Sequence, residues 1–178
     1  MSETRAKTAW RLEFDRAELP PEETSSTLAE AINRRFHTRG VTIFWDGVSI
    51  CIPYAYSLSD SLDDLVETLV ALIDDEGDHW FSFNWEGPGT LDADWHLQWR
   101  GDELTIDAEW RCALQTPVDE LAERIVVSRK LFVRDWTRVL RYLLDSAAHL
   151  VGEQDDDGGD LEPCQRACAQ LEEALKTL

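Results

Sequence analysis

Basic residues are scarce in this chain, with 17 lysines and arginines against 36 aspartates and glutamates. The formal net charge is −19 at pH 7, and the isoelectric point is near 4.4. Proteins that bind nucleic acids or anionic lipid surfaces do so through clustered positive charge. The composition therefore argues against both classes, and we expect no nucleic-acid partner and no membrane partner.

Long apolar runs are also missing. The first ten residues contain Glu3, Arg5 and Lys7 and lack the apolar stretch of a secretion signal. No run approaches the roughly 18 apolar residues that a membrane-spanning helix needs. The sequence thus predicts a soluble, cytoplasmic protein, in which the four cysteines are reduced and act as small buried hydrophobes.

Motifs of common catalytic sites are absent as well. The sequence contains no glycine-rich phosphate loop, no G-x-S-x-G nucleophile elbow and no H-E-x-x-H zinc motif. The four histidines are scattered without the spacing of metal ligands. We therefore predict a protein that is not an enzyme, with no cofactor, no metal site and no catalytic residue.

What the sequence does contain is clear periodicity, which predicts strands and helices in turn. Strands are expected at 9–15, 41–45, 48–52, 81–85, 91–99 and 104–112, and helices at 26–37, 59–75, 130–150 and 163–175. The segment 124–128 fits either a short edge strand or the start of the third helix. This order favours an α+β fold with an antiparallel sheet of about six strands, helices packed on one face, and a long helix near the C-terminus.

The length of 178 residues and the hydrophobic content of 43% suffice for one folded core. We expect residues 1–152 to form a single α+β domain, followed by an acidic linker at 153–160. Residues 161–178 then form a C-terminal helix that packs on or near the core.

Two hairpins are indicated by their turn residues. Asp46-Gly47 is a preferred two-residue turn, and Gly101-Asp102 suits a type II′ turn with glycine first. The second hairpin sets large residues opposite small ones on its apolar face, pairing Trp95 with Ala108. On its polar face the same register predicts the pairs His96–Asp107, Asp94–Glu109, Asp92–Arg111 and Arg100–Glu103.

Negative charge is concentrated in one part of the chain. Residues 51–110 hold 15 acidic side chains and a single basic one, Arg100. Opposed like charges such as Asp94 and Glu109 destabilise a strand pair, and a basic partner would relieve that repulsion. Trp80 is out of phase with the apolar alternation of Phe81 and Phe83, so we expect it to be an exposed anchor for a partner.

This profile resembles the immunity proteins of bacterial toxin–immunity systems, which are small, acidic, tryptophan-rich α+β proteins. The resemblance implies a non-enzymatic inhibitor that binds and neutralises a cognate, basic, nuclease-like toxin domain through its acidic surface. The residues expected to contact that partner are Asp92, Asp94, Asp107, Glu109, Glu103, Trp80, Asp74 and Asp75. The sequence does not decide the oligomeric state.

Two alternatives remain open at this point. One is a metal-dependent hydrolase built on His96, Asp94, Asp107 and Glu109, because histidine and carboxylates together can bind a divalent metal. The other is an adaptor or secretion chaperone that holds a peptide through apolar contacts.

Overall fold

A computed structural model describes residues 10–14, 24–36, 39–83, 91–152 and 161–178. Within these ranges the chain forms seven strands and four helices. The strands are β1 (Trp10–Phe14), β2 (Gly40–Trp45), β3 (Val48–Pro53), β4 (Glu76–Phe83), β5 (Asp92–Arg100), β6 (Glu103–Cys112) and β7 (Arg124–Ser128). The helices are α1 (Leu28–Arg35), α2 (Leu62–Ala71), α3 (Arg129–Ala147) and α4 (Leu161–Ala174).

The first sheet has three antiparallel strands in the order β1-β2-β3. Its hairpin turns at Asp46-Gly47, where both residues have positive φ, as a type I′ turn requires. The predicted register is confirmed, since Trp45 pairs with Val48 and Ile43 pairs with Ile50.

The second sheet has four antiparallel strands in the order β4-β5-β6-β7. Trp95 pairs with Ala108 across β5 and β6, as predicted, and the turn has positive φ at Gly101. One pair is wrong: a register shift next to Asp92 sets this residue opposite Cys112 instead of Arg111. The sequence does not predict this register shift, because apolar and polar residues continue to alternate along both strands.

The expectation of one sheet with about six strands is therefore wrong, because seven strands divide between two sheets. Alternation identifies a strand but not its neighbours in space. The chain passes from β3 through a turn at 54–58 and the helix α2 before it reaches β4, so β3 and β4 each end a separate sheet.

Several boundaries also differ from the expected ones. The helix expected at 59–75 ends at Ala71, so Asp74 and Asp75 lie in the turn before β4, which begins five residues earlier than predicted. The ambiguous segment 124–128 is a strand, at the edge of the second sheet. Cys112 is exposed, against the expectation that all four cysteines are buried.

The helices and the inner faces of both sheets share one core. Trp45 of the first sheet stacks on Trp95 of the second, and α4 contributes Cys164, Cys168 and Leu171 to the same core. The expected linker at 153–160 lies outside the described residues. No helix in the described ranges is long and apolar enough to cross a membrane.

Candidate functional site

The outer face of the second sheet carries polar side chains that no described helix buries. Alternation along β4 to β7 directs these residues away from the core, where Phe81, Trp95 and Ile106 point. Cross-strand pairing sets Trp80, His96, Asp107 and Arg124 in one row across the four strands. We call this surface the acidic face; it comprises Asp78, Trp80, Ser82, Asp92, Asp94, His96, Gln98, Thr105, Asp107, Glu109, Arg111, Arg124 and Val126.

One end of the acidic face forms a cavity of about 650 Å³, which we call the groove. The groove is lined by outer residues of β4, β5 and β6, by Ala108 and Trp110 of β6, and by residues of the connection between β6 and β7, which we call its wall. The groove combines apolar rings and side chains with five carboxylates; its lining is Trp80, Asp94, His96, Asp107, Ala108, Glu109, Trp110, Val118, Asp119, Leu121 and Glu123.

Two indoles hold the wall of the groove in place. The Nε1–H groups of Trp45 and Trp110 both donate to the carbonyl oxygen of Ala122, at 2.7 and 3.2 Å. The backbone N–H of Ala108 also donates to the carbonyl oxygen of Glu123, at 2.7 Å. The connection is thus fixed to the sheet close to the residues that face the groove.

Some carboxylates of the acidic face are neutralised within the protein. Arg111 donates from Nε to Asp92 Oδ1 at 2.7 Å and from Nη1 to Asp94 Oδ2 at 2.6 Å. Asp107 accepts from both Nε and Nη2 of Arg124. The hydrogen bond from Arg111, followed by one from Ser82, lowers the pKa of Asp94 below its usual range.

Three other carboxylates of the groove are not neutralised. Glu109, Asp119 and Glu123 form no ion pair and accept no side-chain hydrogen bond among the described residues. Glu109 lies directly opposite Asp94 in the register, and Arg111 engages Asp94 rather than Glu109. Within the groove, the negative charge that the described residues leave available to a partner therefore lies on these three side chains.

Trp80 is the most exposed large apolar residue in the described chain, at 63%. Its ring stacks on the imidazole of His96, with centroids 4.4 Å apart and planes inclined by 11°. His96 Nε2 lies 2.7 Å from Asp78 Oδ2, which also accepts from Gln98 Nε2 at 3.0 Å. These two hydrogen bonds, that from Gln98 first, lower the pKa of Asp78.

The structure divides the eight residues expected from the sequence into two groups. Trp80, Asp94, Asp107 and Glu109 line the groove, and Asp92 lies beside it on Arg111. Asp74, Asp75 and Glu103 lie at the opposite end of β5, next to the Gly101 turn. At about 3.3 Å per residue, the six positions from Asp94 to Arg100 separate the two ends by roughly 20 Å.

The four residues of the hydrolase alternative share the acidic face, but three of them engage different partners. His96 pairs with Asp78, Asp94 with Arg111, and Asp107 with Arg124. Over the ranges that the structure describes, no three histidine, cysteine or carboxylate side chains lie close enough together to hold a metal ion.

Sequence patterns did not identify four residues of the groove wall: Val118, Asp119, Leu121 and Glu123. They lie in a connection without strand or α-helix periodicity, which is attached to the sheet by the bonds of Ala122 to the two indoles and of Glu123 to Ala108. Asp78 was likewise not expected to contact His96, because β4 was expected to begin after it.

Comparison of the chain with protein-family models, with curated proteins and with solved structures finds no match.

Proposed function

We propose that this protein is a non-enzymatic, cytoplasmic immunity protein of bacterial origin, which binds a cognate basic toxin domain in the groove and blocks its activity. The observation that carries the proposal is the set of three un-neutralised carboxylates, Glu109, Asp119 and Glu123, around exposed and half-buried indoles in one cavity.

Charge complementarity identifies the kind of partner. A protein of net charge −19 repels acidic partners and attracts basic ones. The carboxylates of the groove increase the rate of encounter with a basic surface and exclude partners of the wrong charge. A nuclease-like toxin fits this requirement, since its own nucleic-acid site is basic.

The apolar part of the groove supplies affinity that charge alone does not. Buried tryptophan contributes strongly to protein interfaces, and Trp80 and Trp110 both border the cavity. The ring of Trp80 stacks on His96 in the unpartnered chain, a contact that lowers the conformational freedom the ring has to lose on binding.

The test compares two variants of equal charge change. The groove variant carries Glu109→Gln, Asp119→Asn and Glu123→Gln, and the control variant carries Asp74→Asn, Asp75→Asn and Glu103→Gln at the other end of the sheet. Tagged forms of the native protein and of both variants are purified from their native cells at about 50 mM and about 500 mM salt. Mass spectrometry identifies chains that co-elute in stoichiometric amount.

We expect one basic protein to co-elute with the native chain and with the control variant, and to be lost from the groove variant at the higher salt. With the purified partner, the groove variant should associate at least about tenfold more slowly at low salt, and the control variant within about twofold of the native rate. A saturating amount of the native chain should abolish the toxic activity of the partner. A partner that is acidic, that stays active when bound, or that does not distinguish the two variants contradicts the proposal.

A further inference from the structure

We propose that the groove recognises an arginine side chain of its partner in preference to a lysine. This inference rests on the proposed function, because it assigns the chemistry by which the same site selects a basic protein. It follows from the combination of flat aromatic rings with un-neutralised carboxylates in one cavity.

The aromatic component favours a guanidinium. Arginine stacks its planar, weakly hydrated group on indole rings, whereas the lysine ammonium is compact and strongly hydrated. Trp80 is 63% exposed and its ring stacks on the imidazole of His96. Trp110, half-buried with its Nε1–H bonded to the Ala122 carbonyl, is a second ring at the cavity.

The carboxylates favour the same group. A guanidinium presents five N–H donors in a fixed plane and bonds carboxylate oxygens in pairs. Glu109 belongs to β6, whereas Asp119 and Glu123 belong to the connection between β6 and β7. An arginine side chain in the cavity thus meets acceptors from two segments of the chain together with an indole.

The position of the neutralised groups supports this assignment. Arg111 already donates one N–H group to Asp94, and Arg124 donates two N–H groups to Asp107; both carboxylates line the groove. The acidic face therefore satisfies its own carboxylates with arginine, and the three that remain offer the same chemistry to a partner.

The probes are three acetylated and amidated pentapeptides that differ only in the central residue: Gly-Gly-Arg-Gly-Gly, its lysine analogue and its neutral citrulline analogue. Each is titrated to millimolar concentration into the ¹⁵N-labelled full chain at low salt. The readout is the indole N–H resonances, and that of Trp80 is identified by its absence from the spectrum of Trp80→Phe. Trp80→Ala tests the ring, and Val126→Ala is the matched control at an exposed apolar residue of the same face outside the groove.

The arginine peptide should shift the Trp80 resonance and bind at least about threefold more tightly than the lysine peptide, and the citrulline peptide should bind at least about tenfold more weakly. Trp80→Ala should bring the arginine and lysine affinities to about the same value, since only charge then remains. Val126→Ala should retain the preference for arginine. The groove variant should bind neither cation measurably.

Equal affinity for arginine and lysine, or a preference that persists in Trp80→Ala, overturns the inference. So does a titration in which the arginine peptide leaves the Trp80 resonance unmoved. These outcomes are separate from failure of the proposed function, which is decided by whether the partner protein distinguishes the groove variant from the control variant. A groove that selects a basic toxin by charge alone would refute the arginine assignment and leave the proposed function supported.

Discussion

Trp45 and Trp95 stack with their ring centroids 5.2 Å apart, although they belong to different sheets. Trp110 stands edge-on to Trp45 at 5.0 Å, and both of these indoles donate to the carbonyl oxygen of Ala122. One aromatic cluster therefore joins the two sheets and fixes the wall of the groove. The residues that define the candidate site are on the surface, but the core determines their arrangement.

Removal of the Trp95 ring should be severely destabilising. Trp95 is 1% exposed, and Trp95→Ala should lower the free energy of unfolding by about 3–5 kcal/mol through lost contacts and the cavity that remains. Urea denaturation measures the change. Trp80→Ala removes a ring of the same size from the surface and should change the free energy by less than about 0.5 kcal/mol. Similar losses in the two variants would contradict the placement of the two rings.

A methyl group at Gly77 should disturb the packing of β4 on β5. A Cβ atom at this position would lie 2.3 Å from Cζ2 of Trp99, whose Nε1–H donates to the Asp74 carbonyl at 2.9 Å. We expect Gly77→Ala to lower the free energy of unfolding by about 1–3 kcal/mol, because the indole must move. Gly152→Ala is the control, since its nearest contact would be at 3.8 Å; thermal unfolding of both variants gives the comparison. A neutral Gly77→Ala would be evidence against this strand register.

Arg129 joins the start of α3 to the end of α2. This side chain is nearly buried and donates to the carbonyl oxygens of Leu72 and Asp74. Arg129→Met keeps the apolar stem but leaves these acceptors without the donor, so we expect a loss of about 1–3 kcal/mol. Lys130→Met, at the exposed neighbouring position, should have little effect. Chemical denaturation of the pair measures the difference, and equal stabilities would contradict a structural role for Arg129.

Stability in acid should depend on Arg111. The pKa of Asp94 in the folded protein is depressed below its ordinary value of 3.8, with the hydrogen bond from Arg111 as the largest cause. A depressed pKa stabilises the folded state above the unfolded pKa, and this contribution is lost as the pH falls from 3.8 through the folded value.

Arg111→Gln should therefore lower stability at neutral pH and make the remaining stability fall less steeply below 3.8 than it does in the native protein. Unfolding free energies measured from pH 7 to pH 2 at fixed salt test this expectation. Parallel curves for the two proteins would show that the Arg111–Asp94 contact does not contribute to acid stability.

The structure changes the meaning of the charge pattern. The sequence places Asp94 opposite Glu109, and that pairing is confirmed. That both carboxylates contact a partner stays a prediction; within the chain, Arg111 forms ion pairs with Asp92 and Asp94. Glu109 remains a proposed contact residue for the partner, and we add Asp119 and Glu123 to the proposed contacts.

The sequence alone determined the elements whose cause is local. Period-two alternation and the residues Asp46-Gly47 and Gly101-Asp102 predict two hairpins and their registers, apart from the shift at Asp92, because a turn and one buried face leave a single consistent pairing. The exposure of Trp80 followed in the same way, since its neighbours Phe81 and Phe83 must point inward.

Only the tertiary structure decided what depends on distant segments. Three features depend on which elements contact one another: the division into two sheets, the position of the 113–123 connection against the sheet, and the separation of Asp74, Asp75 and Glu103 from the groove. Periodicity predicts which helices and strands form, but not which of them contact one another. The wall of the groove is attached to the sheet in part by Trp45 and Trp110, which lie 65 positions apart in the chain and donate to the same carbonyl group.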